Sequence, residues 1–314
     1  MKPTLHIHTP LLHSHELSHI TGRNIYLKME ALQPTGSFKD RGIGQLCQYF
    51  SAQNFNGFVS SSGGNAGISV AYTGKKLGCD VKIFVPRNTL ELNIKKMRNE
   101  GAEVTVIGDN WDQTNIHAKK IAQNLDYAYI PPFDHPVIWQ GYESIVDELK
   151  IDLDKDNIKP DAIITSVGGG GLFCGLVQGL QKHEWSKTAI ITAETIGAAS
   201  LATSYQKNKH ITLSKIDTIA TTLGAKQICK QAFNNLQALT VMPQTLSDKQ
   251  AVSACLQFAN DNRVLVEPSC GAALAVPYNN FPILNNFKTV VIIVCGGSGV
   301  SLKLLADWKK RFEI

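Results

Sequence analysis

Short runs of β-branched residues alternate along the chain with longer segments whose apolar residues recur at helical spacing. Seven runs predict strands buried on both faces, as in a parallel sheet: NIYLKM, GFVSS, DVKIFVP, AEVTVIG, DAIITSV, TAIITAE and TVVIIVCGG. Segments of helical length occupy 65–78, 89–100, 111–124, 247–262 and 298–311. This alternation predicts an α/β protein with parallel sheets.

Glycines cluster directly after three of the predicted strands. The clusters are SSSGGNAG at 60–67, SVGGGGLFCG at 166–175 and VCGGSG at 294–299, and each precedes a predicted helix. In open parallel sheets, ligands bind at the carboxyl ends of the strands. The three loops therefore predict one shared ligand-binding crevice.

Four consecutive glycines at 168–171 predict a phosphate site. Their N–H groups can turn toward an anion at the start of the helix near Leu172. A tight turn for strand–helix packing is an alternative, but it needs only one or two glycines. A dinucleotide loop, G-x-G-x-x-G, would need a third glycine where Phe173 or Cys174 stands, and no G-K-[ST] of a P-loop occurs. A small phosphate monoester is favoured.

The stretch PTGSFKDRG places Lys39 in a turn whose backbone is restricted by Pro34, Gly36 and Gly42. A restricted backbone is useful when an amine must reach one atom of one bound molecule. Together with the phosphate loop, this lysine predicts pyridoxal phosphate as the cofactor, because its aldehyde requires an amine and its phosphate an anchor.

Composition narrows the class of protein further. The 314 residues are 43% hydrophobic and 18% charged, with a net charge of +5, which is ordinary for a globular enzyme of about two domains. Seven cysteines include no C-x-x-C pair, which indicates a reducing compartment. No apolar run is long enough for a membrane span, and no basic cluster indicates nucleic-acid binding.

Six segments together point to one family. They are PTGSFKDRG, SSSGGNAG, SVGGGGL, AETIGAAS, LVEPSCGAALA and VCGGS, in this order over essentially the whole chain. In this set the chain resembles the eukaryotic-type L-serine dehydratase/L-threonine deaminase group among the tryptophan-synthase-β-like enzymes of pyridoxal phosphate fold type II. The resemblance implies a lyase that converts L-serine to pyruvate and ammonia, and L-threonine to 2-oxobutyrate and ammonia.

The resemblance also implies a role for each motif residue. Lys39 would be the Schiff-base lysine and would remove the substrate's α-proton, and Phe38 would lie against the cofactor ring. The substrate carboxylate would be bound by Ser62, Gly63, Gly64, Asn65 and Ala66. Asn65 would also reach the cofactor's phenolic oxygen. The cofactor phosphate would be held by Gly168, Gly169, Gly170, Gly171 and Leu172.

Two further residues carry roles implied by the resemblance. Cys295 would face the pyridine nitrogen, although an inert buried thiol at a strand end is the alternative. Glu194 ends an apolar strand, and a buried carboxylate needs a partner or a cation. The resemblance implies a K⁺ site made by Glu194 and main-chain oxygens of Gly168, Ala198, Ser200, Leu223 and Ala225. The alternative is an acid paired with a helix N-terminus.

Racemase, threonine synthase and other activities of related enzymes are alternatives to the dehydratase. Serine racemase uses a serine where this chain has Gly63, so racemisation is not expected as the main activity. The hydroxyl of Thr222, in a place where relatives often carry a smaller residue, leaves a racemase side activity open. Threonine synthase lacks the four-glycine loop. Another fold type II β-eliminase and a non-catalytic pyridoxal phosphate-binding protein remain as alternatives.

The resemblance implies two open parallel-sheet domains with the active site between them. The large cofactor-binding domain would comprise 1–34 and 136–314, and the small inserted domain 35–135 would carry Lys39 and the carboxylate loop. A cytoplasmic homodimer acting on small molecules is expected, without isoleucine feedback, because the regulatory domain of the biosynthetic threonine dehydratases is not seen here.

Overall fold

The strands of the chain form two separate sheets. The computed structural model describes residues 5–314. The strands within that range are β1 Leu11–His13, β2 Asn24–Lys28, β3 Gly57–Ser60, β4 Asp80–Val85, β5 Glu103–Val106, β6 Ala128–Tyr129, β7 Ala162–Ser166, β8 Ala189–Thr195, β9 Val241–Leu246 and β10 Thr289–Ile293. Each of the seven runs predicted as a strand contains a strand. The short strands β1 and β6 and the mixed-polarity strand β9 were not predicted.

The larger sheet has the order β1-β2-β10-β7-β8-β9, and the smaller one β5-β4-β3-β6. Every pairing is parallel except that of β1 with β2. The predicted parallel α/β class is therefore confirmed. The central strands β7 and β8 are buried along their whole length, because they are covered on both faces.

The prediction that AEVTVIG forms a buried strand is wrong. Strand β5 lies at the edge of the smaller sheet, and only Val104 among its four residues is buried. The pattern of apolar residues in AEVTVIG could not show that the strand lies at a sheet edge, because such a pattern does not tell how many neighbouring strands there are.

Helices connect the strands. They are α1 His15–Thr21, α2 Lys39–Ser51, α3 Asn65–Leu77, α4 Glu91–Asn99, α5 Trp111–Leu125, α6 Pro136–Asp154, α7 Gly171–Lys182, α8 Ser200–Gln206, α9 Lys230–Asn235, α10 Asp248–Asn262, α11 Pro268–Tyr278 and α12 Leu302–Phe312. Helix α12 begins four residues after the predicted start at 298, because Ser301 caps it by accepting from the Leu304 N–H. Within residues 5–314, no helix combines the length and apolarity needed to cross a bilayer.

The two sheets use different parts of the chain. Strands of the smaller sheet lie within 57–129, and the larger sheet takes its strands from both sides of that range. Helix α2 packs against both α3 and α6, so the sheets alone do not decide where one domain ends. The boundaries at 35 and 135 stay a prediction, and residues 1–4 of the predicted large domain lie outside the described residues.

Candidate active site

The loops that follow β3, β7 and β10 meet around the segment that carries Lys39. The Phe38 N–H donates to the Cys295 carbonyl at 3.2 Å, which joins this segment to the end of β10. The Ser298 N–H donates to the Asn65 side-chain oxygen at 2.8 Å, which joins the loop after β10 to the start of α3. The Ser166 hydroxyl lies 3.7 Å from the Cys295 thiol. The three glycine-rich loops therefore lie together, and a ligand-binding crevice between them stays a prediction.

Lys39 is the first residue of α2, and the titratable groups near its amine are Cys295 and Glu267. The amine donates to the Pro132 carbonyl at 2.7 Å and lies 4.9 Å from the centre of the Phe38 ring. Lys39 as a whole is only partly buried, but burial around the amine lowers its pKa to about 8, and the nearby Cys295 and Glu267 only partly oppose this. An amine with this pKa is neutral in about a tenth of molecules at pH 7, which is far more than for an ordinary lysine.

The turn before Lys39 is held by side-chain and main-chain contacts. Gly36 has a φ of +85°, which disfavours other residues there. The Asp40 carboxylate accepts from the Thr35 N–H at 2.8 Å and from the Thr35 hydroxyl at 2.7 Å. Burial raises the pKa of Asp40 to about 6 against these hydrogen bonds. A β-carbon at Gly42 would lie 2.6 Å from the Ile138 carbonyl, so α2 and α6 pack closely directly behind the lysine.

Arg41 anchors the same helix through a buried network that the sequence did not reveal. Its guanidinium contacts Glu30 at 2.7 Å and Glu148 at 2.6 Å, and Lys28 contacts Glu148 at 2.6 Å. Arg41, Glu30, Lys28 and Glu148 are all buried. Burial raises the pKa of Glu148, but the hydrogen bonds and charges of Arg41 and Lys28 outweigh this and hold the pKa below its ordinary value.

The glycine loop after β7 is packed too tightly for side chains. A β-carbon at Gly169 would stand 2.4 Å from the Phe133 ring, and one at Gly170, whose φ is +90°, would stand 2.5 Å from Ala232. Helix α7 begins at Gly171, so the N–H groups of its first turn, including that of Leu172, have no acceptor within the helix. Such an N-terminus after a glycine loop suits the phosphate of a cofactor.

Asn65 opens α3 next to the loop that was predicted to bind a carboxylate. Its amide nitrogen donates to Glu267 at 2.9 Å. The Gly63 carbonyl of this loop accepts from the Asn93 side chain at 2.9 Å, and a β-carbon at Gly63 would meet the Thr89 hydroxyl at 2.6 Å. The loop therefore presents backbone rather than side chains at this point. Ser62, Gly64 and Ala66 lie in the same turn and helix start.

Glu267 was not among the predicted site residues, although it belongs to the LVEPSCGAALA segment. It is buried at the N-terminal cap of α11 and contacts Asn65 and Thr222. An acid at the end of an apolar run, immediately before a proline that begins a helix, was the available signal.

Glu194 lies at the end of β8 and is fully buried. Its carboxylate accepts from the N–H groups of Leu201 at 2.8 Å and Ala202 at 2.7 Å, which is the helix pairing considered as an alternative to a cation. Burial raises the pKa of Glu194 to about 7 against these bonds. Separately, a β-carbon at Gly168 would lie 3.2 Å from Leu223, so two of the other proposed cation ligands are neighbours. Ala198 and Ser200 follow β8 directly, and Ala225 follows Leu223.

Comparisons with known proteins find relatives over nearly the whole chain. The chain is 44% identical to the human L-serine dehydratase/L-threonine deaminase over 316 aligned positions, covering 98% of this chain and 95% of that protein. It is 40% identical to the L-serine dehydratase of Dictyostelium discoideum, covering 97% and 92%. A fungal L-serine ammonia-lyase from Rhizomucor miehei superposes with a TM-score of 0.93 at 37% identity, covering 99% and 100%.

A structure of maize serine racemase also superposes, with a TM-score of 0.88 at 25% identity and coverage of 98% and 93%. The resemblance seen in the sequence motifs is confirmed, and so is the fold type. Residues 3–296 match the family described as pyridoxal-phosphate dependent enzyme, and the chain belongs to that family.

Proposed function

We propose that the protein is an ammonia-lyase that dehydrates and deaminates L-serine and L-threonine. The observation that carries this is the convergence of the Lys39 segment, the glycine loop before α7, the carboxylate loop before α3, and Cys295. Relatives named L-serine dehydratase or L-threonine deaminase support the substrate class.

The residues of the crevice fit pyridoxal phosphate. The loop at 168–171 leads directly into the N-terminus of α7, whose first N–H groups can bind a phosphate, and a lysine amine with a lowered pKa lies near Cys295 and Glu267. When bound, this cofactor supplies an aldehyde for an amine and an electron-withdrawing ring. Gly168–Leu172 would hold its phosphate, Phe38 would lie against its ring, and Cys295 would face the ring nitrogen.

The chain's own groups account for the proton movements. Lys39, neutral in part near pH 8, would accept the proton from the substrate's α-carbon. N–H groups at the start of α3 would bind the substrate carboxylate, with Asn65 beside them. Loss of the α-hydrogen and the β-hydroxyl amounts to loss of water. The released enamine rearranges to an imine, and one water hydrolyses it to a 2-oxo acid and ammonia, so no oxidant is required.

Purified protein supplied with pyridoxal phosphate and K⁺ should release equal amounts of 2-oxo acid and ammonia from L-serine, and likewise from L-threonine. The two substrates are assayed separately, and the ratio of their kcat/KM values ranks them. Cofactor binding without 2-oxo acid from either substrate would contradict the proposal. Formation of D-serine would instead support the racemase alternative.

We also propose that K⁺ occupies a site formed by Glu194 and the main-chain oxygens of Gly168, Ala198, Ser200, Leu223 and Ala225. Within residues 5–314, the buried Ser200 hydroxyl has no hydrogen-bond partner, so an unsatisfied oxygen lies in this region. A hard monovalent cation prefers oxygen ligands of this kind.

Activity should therefore rise when K⁺ replaces tetramethylammonium at equal ionic strength. Glu194→Gln should lose most of this stimulation, whereas an exposed control, Glu184→Gln, should keep it. Equal activity in both salts would show that Glu194 serves only the start of α8.

We also expect domain closure, a homodimeric assembly and a cytoplasmic location. The small unit at 35–135 would close on the larger one when substrate binds, which would keep bulk water from the reactive enamine. The protein would be a homodimer in the cytoplasm. Light scattering over a range of protein concentrations tests the dimer, and a monomer at all concentrations would contradict it.

A further inference from the structure

The Glu267 carboxyl is surrounded by donors from three other segments of the chain. One oxygen accepts from the Asn65 amide nitrogen at 2.9 Å and also contacts the Thr222 hydroxyl. The other oxygen accepts from the Gly299 N–H at 3.3 Å. Only 5% of the surface of Glu267 is exposed. A carboxylate suits this place because an ionised carboxyl only accepts hydrogen bonds, and all three neighbours can donate.

The contact with Asn65 links the two sheets' loops. Asn65 begins the helix after β3 in the smaller sheet, whereas Glu267 is the N-cap of α11, which packs against β7 and β8 in the larger one. The Asn65 oxygen accepts from the Ser298 N–H at 2.8 Å. Both ends of the Asn65 amide are therefore held, and one of its two N–H hydrogens is left to point elsewhere.

Thr222 extends the same network. Its hydroxyl contacts both Glu267 and the Ser269 hydroxyl. A hydroxyl has one hydrogen, so Thr222 donates to Glu267 while Ser269 donates to Thr222. The Thr222 methyl lies 3.4 Å from the place a β-carbon at Gly64 would take, which puts this network against the carboxylate loop.

We propose that Glu267 is a positioning residue that orients the Asn65 amide, so that its remaining N–H meets the phenolic oxygen of bound pyridoxal phosphate. This rests on the proposed function in one respect, the role of Asn65 as a cofactor contact. Glu267 itself touches neither cofactor nor substrate, and it acts through Asn65. Thr222 and Gly299 keep its carboxyl in place.

The charged and titratable groups that face Glu267 come from several elements. They are Lys39 on α2, Lys96 on α4, and the thiol of Cys255 on α10. Burial raises the pKa of Glu267 above its ordinary value, although hydrogen bonds from Thr222, Gly299 and Asn65 and the charge of Lys96 oppose this. The lysines favour the ionised carboxylate that the hydrogen-bond pattern requires.

A double-mutant cycle separates positioning from a merely structural role. Apoprotein of the wild type, Glu267→Ala, Asn65→Ala and the double variant is titrated with pyridoxal phosphate, and the dissociation constant is read from absorbance. We expect Glu267→Ala to raise that constant about tenfold, the equivalent of one lost hydrogen bond to a charged group. In the Asn65→Ala background the same change should have little further effect, because the residue that Glu267 positions is gone.

The conservative variant adds a second readout. Glu267→Gln keeps an oxygen for Asn65 and Thr222, so it should bind the cofactor within about threefold of the wild type and recover most of kcat. Its use also guards against an alanine variant that fails to fold. Exposed Glu184→Gln serves as the matched control and should match the wild type.

Two results would overturn the proposal. One is a wild-type dissociation constant in Glu267→Ala, and the other is losses that multiply in the double variant, since independent effects add in free energy. Cofactor binding is measured without substrate, so it stands apart from the lyase activity. A wild type that binds pyridoxal phosphate but releases no ammonia would contradict the proposed function while leaving the cycle informative.

Discussion

Replacing Lys39 with methionine is expected to abolish the release of 2-oxo acid and ammonia from L-serine and L-threonine. Methionine keeps an apolar stem of similar length but has no amine, so neither cofactor attachment nor α-proton removal is possible. Loss of the proton-transfer role alone costs about 10²–10⁴-fold in rate. The assay follows 2-oxo acid with saturating pyridoxal phosphate. Exposed Lys187→Met provides the control and should retain wild-type activity.

Stability measurements show whether this loss has a structural origin. Burial lowers the pKa of Lys39 from 10.5 to about 8, so between these pH values the unfolded chain binds more protons than the folded one. The wild-type apoprotein should therefore gain stability as pH rises from about 8 toward 10.5. Lys39→Met lacks this dependence, so it should be the more stable protein at pH 7, and its advantage should shrink through that range.

Activity and stability together distinguish a chemical role of Lys39 from a damaged fold in Lys39→Met. Activity in Lys39→Met above about one hundredth of the wild-type rate would remove Lys39 from the chemistry. An inactive variant that melts far below the wild type at pH 7 would indicate a damaged fold instead. An inactive variant of equal or greater stability, as expected, assigns the loss to the missing amine.

The parts of the site that could be predicted from the sequence are those whose chemistry is local. Lys39 and the glycines at 168–171 lie in short segments rich in proline or glycine, and such segments indicate turns and loops without knowledge of their neighbours. The strands were predictable for a similar reason, since continuous apolar runs of strand length are typical of a buried parallel sheet.

The parts that were missed depend on residues far apart in the chain. Glu267 acquires its position from Asn65, which is 202 residues away, and Arg41 pairs with Glu148, which is 107 residues away. Nothing near Arg41 in the sequence shows that it is buried, because KDRG is equally compatible with an exposed helix start. The edge position of β5 likewise depends on sheet order, which local patterns do not determine.

Replacing Arg41 with methionine is expected to destabilise the protein by about 3–5 kcal/mol. Glu30 is fully buried and accepts two hydrogen bonds from Arg41 at 2.7 Å, so the variant leaves a buried carboxylate without its main partner. Removing one member of a buried ion pair typically costs this much. Urea unfolding followed by circular dichroism gives the free energy, with the cofactor removed so that binding does not contribute.

A matched pair at the surface provides the comparison. Arg87 and Asp109 lie 3.1 Å apart with most of both side chains exposed, and Arg87→Met should cost no more than about 1 kcal/mol. Adding Glu30→Gln to Arg41→Met should recover part of the loss, because the uncompensated charge is then removed. If Arg41→Met cost as little as Arg87→Met, the buried network would not stabilise the fold.

Replacing Arg41 with methionine should also lower the catalytic rate. Arg41 lies two residues after Lys39 on α2, and its contacts with Glu30 and Glu148 hold that helix against the larger sheet's elements. Loosening the helix start moves the Lys39 amine relative to Pro132 and the glycine loop, and misplacement of a catalytic group by about 1 Å can cost 10²-fold in rate. Folded Arg41→Met, assayed below its melting temperature, should therefore show a lower kcat. Arg87→Met should keep the wild-type kcat, because Arg87 lies in an exposed turn and does not contact Lys39.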